Sequence, residues 1–169
     1  MKTVYLLRHA KSSWDDNALP DFARPLADRG RTAAPRMGRY MRKQGLLPDA
    51  VLCSGARRAV ETWNIIAPEL GTPRVQIDDD LYMASPDAIL AWLRRLQPEI
   101  GSVLLIGHNP GFEELAVRLA IDGRKKALER MRTKYPTGTL AVIRFDVDAW
   151  PAVNDGAGYL DRFVRPKDL

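Results

Sequence analysis

The feature that most constrains how this chain folds is a set of short apolar runs with no polar alternation: Thr3–Leu7, Ala50–Ser54, Ser102–Gly107 and Thr139–Phe145. A strand with one wet face alternates apolar and polar residues, whereas a strand covered on both faces reads as a continuous run. Between these runs lie apolar residues at spacings of three and four: Met37, Tyr40 and Met41; Ala59, Thr62, Trp63 and Ile66; Ile89, Trp92, Leu93 and Leu96; Phe112, Leu115, Ala116 and Leu119. That is the stripe of a helix with one buried face. Helix boundaries are also written in the chain. Ser85-Pro86-Asp87 supplies an N-cap, a first-turn proline and an acid at the positive helix end, Thr32 is expected to cap a helix carrying Pro35 in its first turn, and Gly45 and Gly71 stand as stops. Strand and helix alternate, which predicts an α/β three-layer sandwich: a mostly parallel central sheet, helices on both faces and an antiparallel edge strand. Tyr159–Val164, after a turn-rich stretch, is expected to be that final edge strand, and Lys11–Gly30, with Pro20 and Pro25 and little periodicity, a long loop over one end of the sheet.

At 169 residues the chain is the size of one ordinary domain, so residues 1–169 are expected to form a single unit. No apolar stretch approaches the roughly 20 residues needed to cross a bilayer, and Met1-Lys2-Thr3-Val4 leads into a strand ending at Arg8, unlike a cleaved signal. A cytoplasmic location is the expectation, with no membrane partner. Cys53 is alone, which excludes an intramolecular disulfide. The net charge of +5 favours anionic partners. Its densest run, Arg124, Lys125, Lys126, Arg130, Arg132 and Lys134, reads as a solvated, partly helical surface or as an attractor of acidic partners, and carries no nucleic-acid motif. The sequence leaves the oligomeric state open.

The chain has two histidines, His9 and His108, and each follows an apolar run at its carboxyl end. In open α/β sheets the ligand crevice lies at those strand ends, so neighbouring strands would bring the two rings together although 99 positions separate them in the chain. Arginines gather at the same end: Arg8 beside His9, Arg57 and Arg58 after Ser54, and Arg24 on the long loop. A guanidinium binds phosphate oxygens through paired hydrogen bonds, so the constellation predicts a dianion pocket, and its positive charge argues against a metal ion.

Arg8-His9-Ala10 after the first strand resembles the Arg-His-Gly signature of the histidine phosphatase superfamily, which includes the cofactor-dependent phosphoglycerate mutases. The resemblance continues in Arg24-Pro25-Leu26 with Gly30 following, in Ser54-Gly55-Ala56-Arg57-Arg58-Ala59 with Thr62 following, and in Gly107-His108-Asn109, in the family's order from about residue 3 to 145. The short length and Arg8-His9-Ala10-Lys11-Ser12-Ser13-Trp14 look most like the SixA-type phosphohistidine phosphatases; Ala10 departs from the broad signature's glycine. The resemblance implies a phosphoglycerate mutase-like fold and a phosphohydrolase without cofactor. His9 would be the nucleophile, Arg8 and Arg58 the phosphoryl clamp, and His108 a donor to the transition state. Arg24, Asn109 and Ser12 would touch substrate, and Asp80 in Asp78-Asp79-Asp80 is the candidate general acid. The partner would be a phosphohistidine protein or a small phosphorylated molecule such as a sugar phosphate. Loss of catalysis, leaving a phospho-ligand or protein-binding module, is the alternative from another class.

Rival phosphate chemistries fit less well. A cysteine phosphatase needs arginine six residues after its cysteine, where this chain has Ala59, and Cys53 reads as a buried strand thiol. Neither a Gly-rich Lys-Ser/Thr phosphate loop nor a Gly-x-Gly-x-x-Gly fingerprint occurs, which sets aside ATP hydrolysis and NAD chemistry.

Overall fold

The computed structural model describes residues 1–169. In chain order it contains β1 (Lys2–Arg8), α1 (Asp28–Lys43), β2 (Ala50–Ser54), α2 (Arg57–Ile66), β3 (Arg74–Asp78), α3 (Pro86–Leu93), β4 (Ser102–Gly107), α4 (Gly111–Leu119), β5 (Ala120–Gly123), α5 (Lys125–Thr133), β6 (Leu140–Phe145) and β7 (Gly158–Val164). The seven strands form one sheet in the order β3-β2-β4-β1-β6-β7-β5. β1 to β4 run parallel to one another, β6 runs against both β1 and β7, and β5 runs parallel to β7. The architecture is the expected α/β sandwich with a mostly parallel sheet.

The continuous apolar runs are continuous because both sheet faces are covered. Along β1, Val4 and Leu6 point into a core with Leu90, Leu115, Met131 and Trp150, beneath α3, α4 and α5. Tyr5 and Leu7 point the opposite way, among Met37, Met41, Trp63 and Ile66 of α1 and α2. β4 divides in the same manner, with Val103 and Leu105 on the first face and Leu104 and Ile106 on the second. Burying each such side chain contributes roughly 1.5–3 kcal/mol, so the central strands carry much of the fold's stability, and the strand ends that bear His9 and His108 inherit their rigidity.

Two details differ from the sequence reading. Tyr159–Val164 is a strand, β7, but it is not the edge: the four-residue β5 pairs along its outer side. Ala120-Ile121-Asp122-Gly123 is too short and too mixed to carry a strand pattern of its own. Helix α1 begins at Asp28 rather than at Thr32, whose hydroxyl donates to the Asp28 carbonyl from inside the helix, and Pro35 accordingly sits in the helix interior. Its entry is fixed by tertiary contact: the Ala27 N–H donates to the Lys11 carbonyl, and Gly30 lies so close to that carbonyl that a Cβ would collide with it.

Candidate active site

β1, β2 and β4 are neighbours, so their carboxyl ends deliver three groups to one place: Arg8 and His9 after β1, Ser54 with the start of α2 after β2, and His108 after β4. The two imidazole rings lie 5.2 Å apart, centre to centre, tilted by 48°. His9 Nδ1 is 2.7 Å from the Ala10 carbonyl oxygen. A carbonyl only accepts, so Nδ1 carries the ring proton and Nε2 presents a lone pair. Arg58 Nε donates to that Nε2 at 3.3 Å. His108 Nε2 is 2.7 Å from Ser54 Oγ, which also accepts from the Ala56 N–H. With the Ser54 hydroxyl donating to His108 Nε2, the neutral ring carries its proton on Nδ1.

Both rings are neutral. Burial, with the Arg58 and Arg8 cations added, lowers His108 to about 3; burial, aided by His108 and the same two cations, lowers His9 to about 3. His108 Nδ1 and Arg8 Nε are buried and have no partner in the protein. An orphaned buried donor costs roughly 1–3 kcal/mol, and both orphans stand on neighbours of His9: Arg8 precedes it in the chain and the His108 ring lies 5.2 Å away. Two buried N–H groups beside a lone-pair nitrogen make a receptor for a tetrahedral oxyanion. Arg58 lies in the first turn of α2, whose positive dipole end reinforces that preference. Thr62, one turn on, donates to the Arg58 carbonyl and accepts from the Ala10 N–H, so it ties the nucleophile's segment to the clamp's helix.

A model of the histidine phosphatase superfamily (branch 1) matches residues 4–82. An uncharacterized protein of Mycobacterium tuberculosis is 36% identical over 166 residues, covering 95% of this chain and all of that protein. The chain belongs to the histidine phosphatase superfamily. Within it the fold is of the SixA type. A structure assigned as the phosphohistidine phosphatase SixA of Agrobacterium tumefaciens superposes with a TM-score of 0.80 at 28% identity, covering 98% of each chain. One from Nakamurella multipartitia, assigned likewise, gives 0.83 at 28% identity over 98% of this chain and 96% of that one. Membership supports phosphatase chemistry for the constellation just described.

Four of the residues singled out in the sequence meet here: Arg8, His9, Arg58 and His108. The others have different surroundings. Arg24 donates from Nε to the Ser13 carbonyl, from Nη2 to Ser12 Oγ and from Nη1 to Asp21, and its guanidinium lies 3.2 Å from the centre of the Trp14 ring. It holds the loop together, and Ser12 serves the same stem through its bridge to Leu26. Asn109 Oδ1 accepts from the Glu113 N–H in the first turn of α4, and its Nδ2 donates to the Tyr135 carbonyl, which Arg8 Nη1 also contacts. Asp80 is outside the centre: it lines a separate cavity with Leu81, Ala88 and Arg95, because the short helical turn at Asp79–Leu81 directs it outward. Arg57 is exposed and pairs with Glu61.

The carboxylate that does reach the centre is Asp21, which sequence reading missed. One oxygen accepts from Arg24 and the other from Arg58, each at 3.0 Å, and the Tyr82 hydroxyl donates to the second as well. The Tyr82 hydrogen bond above all, then the two arginines, hold Asp21 far below the usual carboxylate range. The available signal was an acid three residues before Arg24 on the long loop. Tyr82 completes this mouth, meeting the His108 ring edge-on at 5.3 Å and Phe22 at 5.0 Å.

Proposed function

We propose that the chain is a phosphohistidine phosphatase acting through a covalent intermediate on His9. The Nε2 lone pair attacks phosphorus, a His9 N–P bond forms, and the substrate's N–P bond breaks, its imidazole leaving with the proton it already carries. Water then attacks the phosphorylated His9, releasing inorganic phosphate and restoring the neutral ring. Arg8 Nε and His108 Nδ1 donate to the phosphoryl oxygens, whose charge they stabilise as it redistributes. Arg58 has five N–H donors, of which three reach His9 and Asp21, so two remain for the phosphoryl group. Arg24 and Thr62 are positioning residues.

The observation that carries this reading is the tethered, unprotonated Nε2 of His9 between Arg58 and the His108 ring. The choice of phosphohistidine over an ester rests on Asp21. An alkyl phosphate needs an acid for its departing oxygen, and the carboxylate nearest the centre is held ionised. A phosphoramidate brings its own proton. The natural substrate would then be a phosphorylated signalling or phosphotransfer protein of the cytoplasm.

Turnover of a phosphohistidine peptide and of p-nitrophenyl phosphate, with trapping of acid-labile phosphate on the protein, tests it. The peptide is expected to be the better substrate, with label on His9. Preference for small sugar phosphates would favour an esterase, and no turnover of any of these would leave a phospho-ligand binding module.

A further inference from the structure

The basic run of α5 does not stay on its own helix. Arg130 and Lys134 meet Arg29 of α1 and, from the segment after β7, Arg165 and Lys167, around a cavity of about 490 Å³. Apart from Pro136 and Pro166, every side chain lining it is polar or charged. Glu129 is the one acid in its wall, and Asp168 behind it pairs with Arg165 at 2.7 Å and with Arg130 at 3.6 Å. Arg29, Lys134 and Lys167 are exposed and make no ion pair. Elsewhere some surface arginines have acids, as Arg118 has Asp87 and Asp155, Arg124 and Arg144 have Asp161 and Arg42 has Glu69, while Arg36, Arg39 and Arg132 are exposed without one. What sets the cavity apart is that its cations share one concave wall, three of them unpaired beside two arginines that share Asp168, with Pro136 and Pro166 as its apolar residues.

It also lies at the catalytic end of the sheet. Leu7 of β1 pairs with Leu140 of β6, which pairs with Val164 of β7, so the carboxyl ends of β1 and β7 and the start of β6 share one edge. The segment 135–139 is a common wall. On one side Tyr135 accepts from Arg8 Nη1, and the Gly138 N–H donates to the carbonyls of Arg8 and His9 at 3.0 and 2.8 Å. On the other side Pro136 and Thr137 face the cavity.

We propose that this cavity docks a carboxylate-rich segment of the substrate protein while its phosphorylated side chain enters the site at His9. The proposal rests on the phosphohistidine reading above. A small phosphate ester has no further surface to offer, whereas a protein-borne group brings neighbouring surface with it across the 135–139 wall. Several exposed charge pairs formed together accelerate association and lower KM without altering the chemical step.

Two phosphohistidine peptides, one flanked by glutamates and one by glutamines, test this against wild type and the Lys134→Glu/Lys167→Glu double variant. Wild type is expected to favour the glutamate peptide by about tenfold in kcat/KM. The double variant should lose that preference through KM while keeping wild-type turnover of p-nitrophenyl phosphate, which also reports that it is folded. Equal efficiency on both peptides in wild type, or a preference that survives in the variant, overturns the proposal. Anisotropy of an unphosphorylated, labelled polyglutamate peptide reads docking independently of turnover. If neither phosphohistidine peptide is hydrolysed but polyglutamate binds wild type and not the variant, the docking site stands and the substrate assignment falls. If tripolyphosphate binds and polyglutamate does not, the cavity takes a small polyanion and the docking reading is overturned.

Discussion

The floor of the site and its mouth are built by different means. The floor consists of Arg8, His9, Ser54 and His108, set on the ends of strands buried on both faces, with Arg58 in the first turn of α2, and its two imidazoles are fixed by a carbonyl and a hydroxyl, with Arg58 Nε closing on His9. The mouth consists of Trp14, Asp21, Phe22 and Tyr82, held by ion pairs and ring edges. The Asp21 side chain remains 45% exposed, while the Arg58 side chain it contacts is 5% exposed. The difference teaches where the chemistry resides: groups that meet the phosphoryl have their geometry set by the core, and groups that govern entry are set by one another.

Substitutions can break that division. Replacing the nucleophile should have the largest effect: His9→Ala is expected to lower kcat with either substrate by at least about a thousandfold. Arg58→Ala and His108→Ala should each cost about 10²- to 10³-fold in kcat/KM, as loss of a preorganised donor does elsewhere. In the mouth, Asp21→Asn weakens the anchoring of two arginines without removing either, and a loss of about tenfold is expected, with peptide and ester affected alike. A loss as deep as that of His108→Ala would place Asp21 in the chemistry and erase the distinction. Asp80→Asn should stay within about twofold of wild type.

Acid separates the two regions a second way. Folded, each imidazole of the floor stays neutral down to about 3, whereas in the unfolded chain it protonates near 6.5. Between those values the unfolded chain binds more protons, so stability falls as pH drops through that window, with uptake of up to about two protons on unfolding. Asp21 is shifted in the same direction but in a lower window: its contribution is present above its ordinary 3.8 and is lost as pH falls below it. Denaturant melts from pH 7 to pH 4.5 should show the histidine slope alone, roughly halved in His108→Asn; an unchanged slope would mean the ring is not buried as a neutral group.

What could be read from the sequence follows the same line. The floor was legible because each of its parts terminates an apolar run or opens a helical stripe: position brought Arg8, His9, His108 and the Arg57-Arg58 pair to one end, and the family resemblance singled out Arg58. The mouth was not, since Asp21, Phe22 and Tyr82 lie in irregular segments whose meeting depends on the loop closing at Ser12 and Leu26. Arg24 was singled out as a substrate contact, and the Trp14 ring, the Ser13 carbonyl and Asp21 engage it in loop architecture. β5 escaped notice for a related reason: four mixed residues pair with β7 only because that strand already exists.

The bond from His9 to the Ala10 carbonyl has a regiochemical consequence. With Nδ1 committed as a donor, a phosphoryl group received by this ring can settle on Nε2 alone, so the trapped enzyme should yield the tele isomer of phosphohistidine on digestion and none of the pros isomer. A backbone oxygen that takes no part in bond making thereby dictates which of two constitutional isomers the protein forms.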